Sequence, residues 1–558
     1  MPQKPDLTQI EIDKLTIDPN IDFREIAERP FEKISKNELG MFKFSGVYHQ
    51  LQTGFFMIRL RLPGGLMTSE QLEKAAELSD LYAQSQLCIT TRQTLQYHWI
   101  RQQDIYKVMD AMKEVGIITT NACGDVTRNV VACELQGVCP HEVCDTRSKL
   151  LEIADDEELL HIQRNLPRKH KISVAGCGRA CGQTLMNCQG WYPVVRTVNG
   201  REEIGWRFHA GGGLGGLPRM GRLIFDWVPD NLVLEVARAS TEAFRRLGDR
   251  RNRKYARLKI VIDRLGAGDY GNAVLEIMKD RGIKGIEKIE KASGLKPDVG
   301  YYFVDGQPYI EQKQKGFFSV RAMIKRSELS ADESRQFAAW ARIYGNGEIM
   351  FTARQNLHIR HVPEAKVEAL RTEMKKAGFR VDGFERIPDA VSCVGTTVCN
   401  LAVSDTPKTY HEIVRNFADD KEFWDKIGHL CINMNGCPNS CGQHWIVDIG
   451  LRGRRIRKSV GSEEGFTVHV GGALTGEGSI SQPVFDVRST DVVPALKSML
   501  ELYLAERNAN TETFYSYVHR IGFEELQKKL TAIIPGTEPV NVRNQELKSV
   551  FQQIVDEA

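Results

Sequence analysis

Apolar and polar residues alternate from Phe56 to Leu62 and again from Phe318 to Ile324, the period of a half-buried strand. Each run then shifts to helical spacing, about Ser69 to Tyr82 and about Ala331 to Ile343. A second strand carries an Arg-Gln pair in both cases, Arg92-Gln93 and Arg354-Gln355, and a second helix follows, Ile105 to Val115 and Glu364 to Ala377. The same βαβα unit thus occurs twice at an offset of 262 residues, as Gly54-Phe55-Phe56 and Gly316-Phe317-Phe318 also show. Farther along the offset settles at 260, where His209, Gly211, Gly212 and Leu214 match His469, Gly471, Gly472 and Leu474. The duplication predicts two halves joined into one pseudo-symmetric domain, with two larger α/β domains built from the segments that follow.

The expected organisation is an extended polar arm over 1–45, half-domains over 46–117 and 315–380, and larger domains over 118–293 and 381–506. A linker over 294–314 carries Pro297, Gly300, Gly306 and Pro308, and a helical tail over 507–558 ends in apolar residues at helical spacing from Leu547 to Val555. A chain of 558 residues is too long for one core. Its net charge of +3 argues against a general nucleic-acid binder. No stretch has the length and apolarity of a membrane span, and the N-terminus does not resemble a signal peptide, so a soluble cytoplasmic protein is expected.

Thirteen cysteines in a reducing compartment point to metal ligation more than to disulfides. The spacing Cys-x5-Cys-x37-Cys-x3-Cys occurs twice, as Cys133, Cys139, Cys177, Cys181 and as Cys393, Cys399, Cys437, Cys441. Thiolates suit zinc or iron-sulfur clusters, and these gaps depart from the tight knuckles of zinc ribbons. In Asn435-Gly436-Cys437-Pro438-Asn439-Ser440-Cys441 two cysteines sit in a turn-rich loop whose amides are free to bond cluster sulfurs.

Here the sequence resembles the siroheme-dependent nitrite and sulfite reductase family, over roughly Gly46 to Glu506. The resemblance implies an α+β and α/β fold in which two ferredoxin-like βαβ half-domains form one pseudo-symmetric domain beside two siroheme and 4Fe-4S domains. It implies a 4Fe-4S cluster on Cys393, Cys399, Cys437 and Cys441, with Cys441 bridging to siroheme iron, and places Asn439, Gln93 and Asn129 beside the cofactors. Arg92, Arg128, Lys169 and Lys171 match the family's anion-contacting residues. Strand alternation puts Lys169 and Lys171 on one face with His170 opposite, and Arg168 is expected to turn away toward a carboxylate. An arginine fork suits anion orientation, and a desolvated lysine can supply protons.

The implied reaction is six-electron reduction of a small oxyanion, sulfite to sulfide, with nitrite to ammonia as the rival. Lys171 favours sulfite, since sulfite-reducing members tend to carry Lys where plant-type nitrite-reducing members carry Asn. No flavin or nicotinamide module is recognisable, and Gly211 to Gly216 reads as a cofactor-contacting loop. Electrons then come from ferredoxin or a flavoprotein subunit, for which the basic stretch Arg245 to Lys254 is a candidate docking surface. Two other classes compete: a non-catalytic iron-sulfur electron-transfer protein, which needs no distal cations, and a zinc-dependent binding module.

The first quartet departs from the family, whose single-chain members carry cysteines in the second repeat alone, and a second 4Fe-4S cluster is expected there. A second catalytic centre is not, because Arg354 corresponds to Arg92 but Cys431 and Asn433 are read as the counterparts of Lys169 and Lys171.

Overall fold

The computed structural model describes residues 7–162, 165–178, 180–289, 306–474 and 478–540. The first repeat opens with strands β1 (Val47–His49), β2 (Phe55–Arg59), β3 (Leu66–Thr68), β4 (Gln86–Ile89) and β5 (Leu95–Arg101), and continues with β6 (Val131–Ala132), β7 (Ile172–Val174), β8 (Gln189–Val198), β9 (Arg201–Ala210) and β10 (Arg222–Pro229). In the second repeat β11 (Tyr309–Glu311), β12 (Phe317–Ala322), β13 (Glu328–Ser330), β14 (Glu348–Phe351) and β15 (Leu357–Pro363) precede β16 (Val391–Ser392), β17 (Ile432–Asn435), β18 (Ile449–Arg457), β19 (Ser462–Val470), β20 (Gln482–Arg488) and β21 (Glu538–Pro539).

The two half-domains interlock. Their sheets run β1-β2-β5-β4-β13 and β11-β12-β15-β14-β3, so each half gives one edge strand to the other. Leu329 of β13 lies opposite Leu87, and Ile349 of β14 lies opposite Met67. Each donated strand leads directly into a long helix, Ser69–Tyr82 or Ala331–Tyr344, started by a capping box at Thr68 or Ser330. The helices are bridged by ion pairs of Arg335 with Asp80 and Arg342 with Glu73. One apolar core, including Leu72, Leu87, Leu329, Phe337 and Phe351, runs through both halves.

The larger domains each pack helices on a mixed sheet, β10-β9-β8-β7-β6 and β16-β17-β18-β19-β20-β21. The parallel register of Val131 on Ser173 recurs as Val391 on Asn433, preserving the offset of 260. Where the loop after each quartet folds back on its sheet, only glycine fits: a Cβ on Gly190 would lie 2.2 Å from the Thr184 carbonyl oxygen, and one on Gly450 would lie 2.1 Å from that of His444.

Both ends differ from expectation. Residues 9–41 hold helices Gln9–Thr16, Phe23–Glu28 and Lys36–Met41 in place of an extended arm. Each is too short for a periodic pattern to stand out, yet Asp22 caps one, a Ser35–Glu38 capping box starts another, and Phe23, Ile26 and Leu39 enter the half-domain core. The end of the expected linker is strand β11. Helices Phe514–Ile521 and Phe523–Ile533 put Tyr517, Val518 and Leu530 into the second large core, so this part of the tail is integral to that domain. The helical spacing read from Leu547 to Val555 lies outside the described residues.

Interlocking sets an expectation for stability. Leu329→Ala should lower the urea-unfolding free energy by about 2–5 kcal/mol, the usual cost of a buried leucine truncation. Hydrogen exchange should quicken in β4 of the other repeat as well as in β13; quickening confined to β13 would mean that the sheets do not share stability.

Candidate active site

The β4–β5 turn sets the first cation. Gln93 adopts a left-handed backbone (φ 55°), and the turn is closed by Thr90 N–H on the Thr94 carbonyl at 2.8 Å. Arg92 then points away from the sheet and donates to Asn187 Oδ1 at 2.9 Å and to the Asn129 carbonyl. Asn129 returns its amide to the carbonyls of Leu62 (2.8 Å) and Arg92 (3.0 Å). Burial and the neighbouring Arg128 bring the Arg92 guanidinium down to about 9. Arg128 is held by its Nε bond to the Gly124 carbonyl at 2.8 Å.

Alternation before β7 places Lys169 and Lys171 as expected. His170 turns inward, bonding Thr127 Oγ1 at 2.9 Å and stacking on Phe244, while both lysines face a cavity of about 570 Å³. Burial, then Arg257 and Arg128, lowers Lys169 to about 7, and burial with Arg92 and Lys169 holds Lys171 well below the usual lysine range.

The same cavity wall carries Arg92, Arg128, Asn129, Asn439 and the thiol-bearing residues Cys393, Cys399, Cys437 and Cys441. Cys393 follows β16 and accepts from Gly436 N–H at 3.2 Å. Thr91 joins the repeats by donating to the Cys441 carbonyl at 2.7 Å. Gln93 is not among the lining residues; its Oε1 accepts from Ala132 N–H at 2.9 Å, which makes it a brace for the turn. Arg168 pairs with Asp125 at 3.3 Å, as expected, but also lines the cavity. Leu214 brings the glycine-rich loop to the wall.

The sequence reading missed Lys43, Arg59 and Arg253, which also line this space. Arg59 had a signal: it shares a strand face with Met57, opposite the core residues Phe56 and Ile58. Among the described lining residues the carboxylate is Asp125 alone. Burial pushes it up, but bonds from Arg253 (2.8 Å) with nearby Lys14 and Arg168 outweigh this and hold it at about 2. Buried Arg92 Nε, Asn435 Nδ2 and Ser440 Oγ lack hydrogen-bond partners.

The second repeat has the scaffold without the charge. Arg321 and Arg354 stand where Arg59 and Arg92 do, but Arg321 bonds Glu385 at 3.0 Å, and Arg354 bonds Asp389, the counterpart of Asn129, at 2.6 Å. The β7 and β17 registers, Ile172 on Gln189 and Ile432 on Ile449, make His429 and Cys431 the counterparts of Lys169 and Lys171, correcting the expected Cys431 and Asn433. The offset has already shortened from 262 to 260 before these strands. The basic stretch is also largely neutralised: Arg245 and Arg246 bond Glu242, Arg250 bonds Glu11, and Arg253 bonds Asp125.

The family description "nitrite and sulphite reductase 4Fe-4S domain" matches residues 123–288 and 385–534, and "nitrite/sulfite reductase ferredoxin-like half domain" matches 48–115 and 310–377. The chain belongs to the siroheme-dependent nitrite and sulfite reductase family. It is 30% identical to the assimilatory ferredoxin-dependent nitrite reductase of Haloferax mediterranei, covering 89% of this chain and 88% of that one. It is 28% identical to sulfite reductase [ferredoxin] 1 of Mycolicibacterium paratuberculosis over 90% and 92%. The solved structure of Mycobacterium tuberculosis NirA protein superposes with a TM-score of 0.82 at 27% identity, covering 94% of this chain and 98% of that one.

The protein is therefore an enzyme of this family, whose members imply siroheme and a 4Fe-4S cluster. The cavity fits such a pair: an anionic tetrapyrrole meets the surplus of buried cations and unpartnered donors, and the thiols beside it suit a cluster. Among the described residues no helix is long and apolar enough to cross a membrane.

Lys169, at about 7, predicts a proton linkage. An anion raises this value toward the ordinary lysine range, so binding takes up a proton and affinity falls as pH rises through neutrality. Calorimetric titration of an inhibitory anion in buffers of different ionisation heat should show that uptake, and Lys169→Met should reduce it. Equal uptake in the variant would assign the linkage to another group.

Proposed function

We propose that the protein reduces sulfite to sulfide by six electrons in the cytoplasm, taking electrons from ferredoxin or from a flavoprotein reductase subunit. Siroheme would lie in the cavity, held at its carboxylates by Lys43, Arg59, Arg168 and Arg253. Cys393, Cys399, Cys437 and Cys441 would hold the 4Fe-4S cluster, with Cys441 as the bridge to siroheme. The first quartet would carry a further cluster. The observation that carries this reading is one cavity wall that bears Arg92, Arg128, Lys169 and Lys171 together with the second quartet.

Bound siroheme supplies the iron at which the oxyanion receives electrons. The rest is work for the side chains. Arg92, braced by Asn187 and the Asn129 carbonyl, presents a fixed fork that orients the anion's oxygens without reorganising during the reaction. Lys169, close to neutrality, can give a proton to a departing oxygen and regain one from water. Lys171, held low by burial and by Arg92 and Lys169, takes up a proton as an anion enters and so adds positive charge that a dianion needs more than a monoanion does. Thr91 and Gln443 tie the cation turn to the Cys441 loop, at 2.7 Å and 3.3 Å, and so keep acid and thiolate in register.

Nitrite reduction to ammonia is the second reading, favoured by the Haloferax relative at 30% identity. The two lysines decide between them. Lys171→Ala should retain the siroheme spectrum and lower kcat/KM for sulfite by about 10²–10³-fold, the scale of one lost charge-stabilising donor, with a smaller loss for nitrite. Equal losses for both substrates would remove the preference for sulfite. Separately, Cys441→Ser should remove the electronic coupling of siroheme to the cluster and nearly all turnover. Native turnover with an unchanged spectrum would refute Cys441 as the bridge.

A further inference from the structure

We propose that Cys133, Cys139, Cys177 and Cys181 bind a second 4Fe-4S cluster, which relays electrons and forms no second reducing centre. The inference rests on reading the second quartet as a cluster site and extends that reading to the other repeat.

Spacing alone could be inherited without function, but the local frame is kept too. The parallel pair β6–β7 has Ala132 opposite Val174, and β16–β17 has Ser392 opposite Met434. Cys133 and Cys393 each follow directly after the first strand, and Cys177 and Cys437 lie three residues beyond those partner positions. The second cysteine of each set closes one turn: Cys139 N–H reaches the Leu135 carbonyl at 2.8 Å, and Cys399 N–H reaches that of Gly395 at 3.3 Å. Beyond it a latch recurs, Val143 N–H on the Gly176 carbonyl and Val403 N–H on the Gly436 carbonyl, both at 2.8 Å. After the fourth cysteine, Ser173 Oγ bonds the Gly182 carbonyl where Asn433 Nδ2 bonds that of Gly442.

The sulfurs also have cluster-like surroundings. Leu135 N–H donates to Cys133 Sγ at 3.4 Å, as Gly436 N–H does to Cys393 Sγ at 3.2 Å. Cys133, Cys139 and Cys181 meet in one apolar pocket with Leu135, Val138 and Ile310. Three thiols gathered in an apolar shell with an amide donor, and a fourth cysteine at the register position that Cys437 holds in the other repeat, match the requirements of an iron-sulfur cluster.

A relay role follows from two contrasts. Arg321 and Arg354 are cancelled by Glu385 and Asp389, so this half lacks the cations an oxyanion needs. The quartet loops nevertheless meet. Gln183 and Gln443, each two residues past the last cysteine of its set, exchange hydrogen bonds at 2.9 Å and 3.1 Å. Across this amide pair the first cluster would accept one electron at a time from a small iron-sulfur donor protein and pass it to the second, with no bond made or broken.

The test is iron and acid-labile sulfide in anaerobically purified, siroheme-loaded protein. About eight labile sulfides per chain are expected, two clusters of four, against about four for a single cluster. Cys133→Ser/Cys177→Ser should halve the sulfide, keep the siroheme bands and siroheme–cluster coupling, and depress ferredoxin-driven turnover far more than viologen-driven turnover. Should that variant fold poorly, low-temperature EPR of the reduced wild type should still show a cluster signal uncoupled from siroheme. About four sulfides with the coupled signal intact would overturn the second cluster. Absence of the coupled signal as well would overturn the reading of the second quartet. Equal losses with both donors would overturn the relay.

Discussion

Arg92, Arg128, Lys169 and Lys171 stand where water is scarce, and an ion held there without a partner costs several kcal/mol even after the surroundings relax. The fold meets that cost in part. Asp125 gathers Arg253, Lys14 and Arg168, the Asn187 amide and the Asn129 carbonyl hold Arg92, and Lys169 lowers its own charge by losing affinity for its proton. The remaining positive charge is left for an anionic cofactor and an anionic substrate. On the proposed reading, binding strength and acid chemistry come from the same unmet electrostatic demand.

The duplicated scaffold shows how little separates a cation-rich pocket from a charge-paired one. Both halves carry the turn with its arginine and the parallel strands that lead into cysteine loops. Asn129 in one half and Asp389 in the other differ by an amide against a carboxylate, yet the first leaves Arg92 available and the second closes an ion pair on Arg354. With Glu385 on Arg321, and His429 and Cys431 in place of the lysines, the second half satisfies its charges internally.

Much of this was legible in the chain itself. Long helices with clear starts, the period-two strands, the repeated quartets and the facing of Lys169 and Lys171 all follow from local chemistry. The strand exchange was not, since β3 and β13 are three-residue segments whose partners are set by tertiary packing. The short N-terminal helices owe their place to caps and to the core they cover, which a periodicity search passes over. The bracing role of Gln93 was not legible, because only the position of Ala132 shows that its Oε1 holds the turn, while its buried Nε2 has no partner among the described residues. The misalignment of the lysine counterparts came from carrying an offset past the point where two residues had been lost.

The strand exchange has a historical reading. A chain in which each half completes the other's sheet is the covalent form of a domain-swapped dimer. In a symmetric ancestor of two identical subunits, any substitution would have appeared at both sites together. Fusion broke that obligation. One copy could keep its pocket while its twin drifted into ion pairing, and the shared core ensured that the drifting copy stayed indispensable as architecture.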